Sequence, residues 1–191
     1  MDRSRSRRST VLATSALAVL AFIPLARGEW PWAKEFNFYE SNMASTSQEG
    51  RFELLDRAAF AALMIGEIEK ARAYAEESLR LAPSYPDSWN YAYSMYHSHI
   101  VLGHLALLRG DVDGAEDELR AAAQAPGSET LTKFGPNMSL AKALLEKGRQ
   151  TSVLAYFEAC RRLWSGDVGH LDAWRAAVER GEIPDFKGHL R

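Results

Sequence analysis

The chain has 191 residues, 47% of them hydrophobic and 25% charged, with a formal net charge of −2, a make-up that excludes a disordered or fibrous chain and fits one globular domain. The first 28 residues hold five of the 23 basic and one of the 25 acidic side chains, so 18 basic and 24 acidic groups remain beyond them, and that acidic excess argues against nucleic-acid binding, which needs basic groups to displace counterions. The lone cysteine, Cys160, excludes an intramolecular disulfide framework and a multi-cysteine zinc site.

Residues 1–28 read as a secretory signal. Arg3, Arg5, Arg7 and Arg8 form the positive end and Val11 to Leu25 the apolar stretch. Ala26-Arg27-Gly28 places small residues at the −3 and −1 positions of a cut before Glu29. The apolar run is short of the roughly 20 residues that a membrane span requires. Ser6-Arg7-Arg8 touches the twin-arginine pattern, with Thr10 where that pattern prefers phenylalanine. An uncleaved anchor is the other reading, and no cysteine stands near the cut to carry a lipid. The expected location is therefore outside the cytoplasm, periplasmic or secreted.

Residues 29–46 form an aromatic-rich lead segment with Trp30, Trp32, Phe36, Phe38 and Tyr39. No helical period is assigned to it. It is too apolar for a free linker and is expected to pack on the first hairpin or cover one end of the stack.

From Thr46 the pattern turns helical. Thr46 with Glu49 three residues on has the form of a capping box. Phe52, Leu55, Ala59, Ala62 and Leu63 follow at helical spacing, and the helix is expected to stop near Gly66. A second helix is predicted from about Glu67 to Leu81, closed by Pro83. A third, from about Asp87 to Arg109, is the longest. Asp111 caps a fourth that runs to about Gln124, and Pro126-Gly127-Ser128 marks a loop. Pro136 suits a first helical position, with a helix to Lys147. Gly148 turns the chain into a helix that ends near Trp164. The last helix is expected over Asp167 to Arg180, with Gly181 past its end. Residues 182–191 are a tail. No segment alternates with period two, so no strand is predicted.

One phrase occurs three times: Gly66-Glu67-Ile68-Glu69-Lys70-Ala71, Gly110-Asp111-Val112-Asp113-Gly114-Ala115 and Gly148-Arg149-Gln150-Thr151-Ser152-Val153. Ala75, Ser78, Leu81 and Pro83 follow the first copy. Leu119, Ala122 and Ala125 follow the second, and Phe157, Cys160 and Leu163 the third. This resembles the tetratricopeptide repeat over residues 47–164. The first copy is in full register, while Ala106 departs from the usual tyrosine of the second and Val153 from the usual alanine of the third. The resemblance implies an all-α fold of about three stacked antiparallel hairpins over 47–181, with the last helix as a C-terminal cap. Each hairpin buries its apolar face only by stacking on the next.

The resemblance also implies that the first helix of each hairpin lines a concave groove. Counting back from the turn glycines then gives Glu53 and Asp56 with Phe60 and Leu63, His97 and His104 with Ile100 and Leu107, and Lys142 with Met138 and Leu145. Asn90 shares a face with His97 and His104 at intervals of seven, and Asn137 lies beside the third row. The expected function is an exported scaffold that binds a protein segment at Glu53, Asp56, Asn90, His97, His104, Asn137 and Lys142. The alternative is a small-ligand or enzymatic protein that uses the histidine and asparagine cluster of the third predicted helix.

No catalytic motif supports an enzyme: GxSxG, phosphate-loop, GxGxxG and HExxH patterns are absent. Histidines seven apart lie about 10.5 Å apart along a helix, too far to grip one ion. No metal or cofactor is expected, and Cys160 sits where the repeat wants a small buried residue.

Overall fold

The computed structural model describes residues 31–165 and 168–190; the predicted signal and its cleavage site lie outside them. Among the described residues the protein is all-α. The helices are α1 (Pro31–Met43), α2 (Gln48–Ile65), α3 (Ile68–Leu81), α4 (Tyr91–Leu108), α5 (Val112–Ala123), α6 (Glu129–Phe134), α7 (Ser139–Glu146), α8 (Gln150–Leu163) and α9 (Val168–Glu179). Short 3-10 turns at Ala82–Ser84 and Lys187–Leu190 complete the list. Adjacent helices pack in pairs, α2 with α3, α4 with α5 and α7 with α8, and α4 also touches α2 and α7. The architecture is a stack of helical hairpins.

The three repeated phrases fold alike. Gly66, Gly110 and Gly148 take φ of 83°, 83° and 76°, a left-handed backbone that only glycine adopts without strain. The residue after each glycine donates its N–H back to the preceding helix: Glu67 to the Ala62 carbonyl at 2.9 Å, Asp111 to Ala106 at 3.0 Å and Arg149 to Leu144 at 3.0 Å. Gly181 at the end of α9 does the same, with Glu182 N–H on the Ala177 carbonyl at 3.0 Å.

Two expectations need correction. The lead segment is helical over α1, with Pro31 at its first position. Trp32, Phe36, Tyr39 and Met43 follow each other at steps of four, three and four, a helical stripe that the extra aromatics Trp30 and Phe38 mask. That stripe packs on α2, where the Trp32 ring lies edge-on to Phe60 at 5.4 Å. Glu40 ties α1 to α3 by accepting from Lys70 Nζ at 2.6 Å and the Tyr74 hydroxyl at 2.5 Å. The cap of α2 is Ser47 rather than Thr46, because its hydroxyl accepts from Gly50 N–H at 3.1 Å. Glu49 then falls one position short of closing a capping box.

The element boundaries differ in two further places. Helix α4 starts at Tyr91, four residues later than predicted, because Ser88 and Asn90 are drawn into side-chain contacts with α2. Pro136 does not open α7. A short helix, α6, precedes it, capped by Ser128, whose hydroxyl accepts from Leu131 N–H at 3.1 Å.

The core follows from small residues at crowded positions. Ala58, Ala59, Ala61 and Ala62 of α2 are fully buried, so α1, α3 and α4 can all approach α2. Helix α4 is buried on several sides, with apolar Ala92, Ile100, Val101, Leu105, Ala106 and Leu107 and polar Ser94, His97 and Ser98 among its buried residues. A Cβ added to Gly103 would lie 2.2 Å from Leu140 Cδ2 and 3.3 Å from Glu118 Cβ. Leu140 is fully buried and has nowhere to go. Gly103→Ala is expected to cost about 1–3 kcal/mol through overpacking, read as a lower urea midpoint at unchanged slope.

Candidate functional site

The polar residues singled out along the sequence fall into separate places. Asp56 of α2 is fully buried. Its Oδ1 accepts from Asn90 Nδ2 at 2.8 Å and from the Ser94 hydroxyl at 3.3 Å. Its Oδ2 lies 3.4 Å from His97 Nδ1. A carboxylate only accepts, so Nδ1 carries the proton. His97 stacks on Phe60 with ring centres 4.7 Å apart, and its Nε2 is buried without a partner. Asn90 Nδ2 also reaches the Glu53 carbonyl at 3.0 Å, and the Glu53 carboxylate accepts from the Ser88 hydroxyl at 3.2 Å. Asp56, Asn90, Ser94 and His97 therefore pin α4 to α2 inside the core rather than line an open face.

The remaining candidates lie elsewhere. His104 Nε2 pairs with the Ser139 hydroxyl at 2.8 Å. Burial, and after it the charge of His97, lowers the His104 pKa to about 4. Lys142 pairs with Glu146 one turn on in α7. His97 pairs with Asp56 of α2, whereas His104 pairs with Ser139 of α7. No group of three or more histidine, cysteine, aspartate or glutamate side chains able to hold a metal ion occurs among the described residues. Cys160 is fully buried, and burial pushes its thiol up to about 12, so it is no nucleophile at neutral pH.

The depressed His104 pKa has a consequence for stability. Above pH 6.5 the imidazole is neutral in both folded and unfolded chains. Between pH 6.5 and about 4 the unfolded chain takes up a proton that the folded one refuses, so folding weakens as pH falls. The denaturation midpoint should drop from pH 7 to pH 4.5, and His104→Gln should flatten that drop.

Asn137 sits in a different setting. It precedes α7, and its Oδ1 accepts from Ser139 N–H at 2.8 Å, which fixes the orientation of the amide. Asn137 is 5% exposed and its Nδ2 has no partner. The residue lines a cleft with about 170 Å³ of room, walled by Tyr93 of α4, Thr130 and Phe134 of α6, the Gly135–Asn137 turn, and Gly188 and His189 of the tail. Phe134 stands 64% exposed at this cleft. Burial, and after it the charge of Asp56, raises the Tyr93 hydroxyl to about 12, so it stays protonated and able to donate. Behind the cleft the Tyr96 and Tyr156 hydroxyls lie 2.7 Å apart, and both reach the Asn137 carbonyl, at 3.0 and 3.2 Å. The Asn137 backbone is thus held by two buried side chains, and its side-chain Nδ2 is buried without a partner.

The tail that closes one side of the cleft is a built element. Phe186 is buried against Phe157 and Trp174, with ring centres 6.1 and 5.1 Å away. The His189 carbonyl accepts from Met138 N–H at 2.5 Å, and the His189 ring lies 4.8 Å from that of Trp164. Sequence reasoning named Asn137 but missed Thr130, Phe134, Gly135 and His189. Ser94, four residues after Asn90 on the same helix face, was legible in principle.

Compared with protein-family models, curated proteins and solved structures, the chain matches none. No helix among the described residues is long and apolar enough to cross a membrane.

Proposed function

We propose that the protein is an exported binding module, built of tetratricopeptide-like hairpins, that holds an extended protein segment in the cleft beside Asn137. The observation that carries this reading is the cleft itself, lined by Tyr93, the exposed Phe134 and the Gly135–Asn137 segment. Tyr93 and the exposed Phe134 offer apolar surface for a side chain beside it. The reading assigns no catalytic step, no cofactor and no nucleic acid.

A photo-crosslinking residue at position 134 tests it. Covalent capture of one polypeptide from the secreted or envelope fraction, abolished by Asn137→Leu, supports the module. Capture unchanged by Asn137→Leu would move the binding face elsewhere. The small-ligand reading is favoured by one observation, the modest size of the cleft. It would gain if the folded protein captured no polypeptide.

A further inference from the structure

A second surface of the molecule combines exposed aromatic rings with an arginine that has no ion pair. Arg57 of α2 is half-buried, and its Cζ lies over the Trp89 ring, 5.5 Å from the ring centre. Trp89 stands just before α4 and is 61% exposed. Arg57 also acts on Tyr39 of α1: burial raises the Tyr39 hydroxyl above its ordinary value, and the Arg57 charge works against that rise. Phe38, 59% exposed, sets its ring edge-on to Tyr39 at 5.5 Å. Three elements distant in sequence thus bring aromatic rings to one guanidinium.

Among the described residues no carboxylate pairs with Arg57, although acidic groups are close. Glu53, one turn back in α2, accepts from the Ser88 hydroxyl at 3.2 Å. Asp56 is buried and engaged with Asn90, Ser94 and His97. Glu35 of α1 acts on the Tyr39 hydroxyl and not on Arg57 through an ion pair. A guanidinium over an indole keeps its in-plane N–H donors free, and a carboxylate matches their fork in a bidentate pair. A segment laid across the flanking rings would exclude water from that pair and strengthen it.

Tyr93 joins this surface to the cleft. It lines the cleft wall, and its hydroxyl, raised by burial, is near enough for the Arg57 charge to oppose the rise. We propose that Arg57, beside Trp89 and Tyr39, takes an acidic side chain of the bound segment, while the cleft on the far side of Tyr93 takes an apolar one. The proposal rests on the reading of the cleft as a segment-binding site, and it adds the chemistry of the segment: one aspartate or glutamate at a fixed distance from an apolar residue.

The test screens the full chain against a random heptapeptide library made in two forms, with amidated and with free C-termini. Circular dichroism checks that each variant is folded. Wild type should enrich, in both forms, peptides with an acidic residue at one fixed distance from an apolar residue. Arg57→Glu should keep the apolar residue and exchange the acid for a lysine or arginine, a swap that a merely structural arginine would not produce. Replacing the acid of an enriched, fluorescein-labelled peptide by its amide should weaken wild-type binding about tenfold by fluorescence anisotropy and leave binding to Arg57→Gln unchanged. An apolar consensus without an acid, an acidic preference that persists in folded Arg57→Glu, or an acidic preference confined to the free-acid library overturns the role of Arg57 and leaves the cleft reading standing. No enrichment by the folded wild type overturns both.

Discussion

Asp56→Ala should be among the most damaging single substitutions in this protein, with an expected loss of about 3–5 kcal/mol. The carboxylate is fully buried and is the common acceptor for Asn90 Nδ2, the Ser94 hydroxyl and His97 Nδ1. Removing it leaves His97 Nδ1 buried without its acceptor and takes one partner each from Asn90 Nδ2 and Ser94, which keep the Glu53 carbonyl and each other. Asp56→Asn keeps the volume and one acceptor oxygen, and should cost a smaller amount, about 1–2 kcal/mol. Urea denaturation followed by circular dichroism checks the pair. Equal losses for the alanine and asparagine variants would show that volume, not the carboxylate, holds α4 to α2. Burying such a cluster is weak evidence for stability as such, because an apolar replacement of the whole set can do as well. Its effect is to allow only one register between the two helices.

Gly135→Ala should combine a stability defect with loss of the cleft. Gly135 has φ of 75°, and a Cβ there would stand 2.7 Å from the Trp164 ring. The strained backbone costs roughly 1–3 kcal/mol and the collision a further ~1–3 kcal/mol, for an expected total of about 2–6 kcal/mol. Trp164 is 4% exposed and packs against the tilted His189 ring, so it cannot yield without moving the tail. Peptide binding should fail together with the urea midpoint. Gly188 is the control in the same cleft: an added Cβ meets nothing within 4 Å, and Gly188→Ala should change stability by less than about 0.5 kcal/mol. Similar effects of the two substitutions would mean that the Trp164 contact is dispensable.

The hairpins were legible because their punctuation is local. A glycine followed by a helix start demands a left-handed turn wherever it occurs, and Gly66, Gly110 and Gly148 all take it. The polar face of α4 was legible as a row spaced by seven, Asn90, His97 and His104. Which of those residues reach a shared space was not, because burial depends on what covers the row. Helix α1 covers Phe60, and an amphipathic period was hidden there by two surplus aromatics. The cleft was the least legible part. Its walls come from α4, a six-residue helix with too few turns to show a period, and a tail about fifty residues further along the chain. Nothing in the local pattern around Thr130 or His189 announces that they meet. Asn137 was found only because it lies beside the third groove row, and its bond to Ser139 N–H was not anticipated.

Helix α4 serves two cores with two faces. Tyr96 and Ile100 belong to the cluster that also holds Leu140, Phe157 and Trp174, while Val101 and Leu105 belong to the cluster with Phe60, Ala71 and Ala75. Neither half of the molecule can open without exposing one side of this shared helix. The hairpins are therefore not independent beads on a string, as long repeat arrays can be. They should behave as a single foldon, the amides of α4 exchanging only with global unfolding and the chain melting in one step.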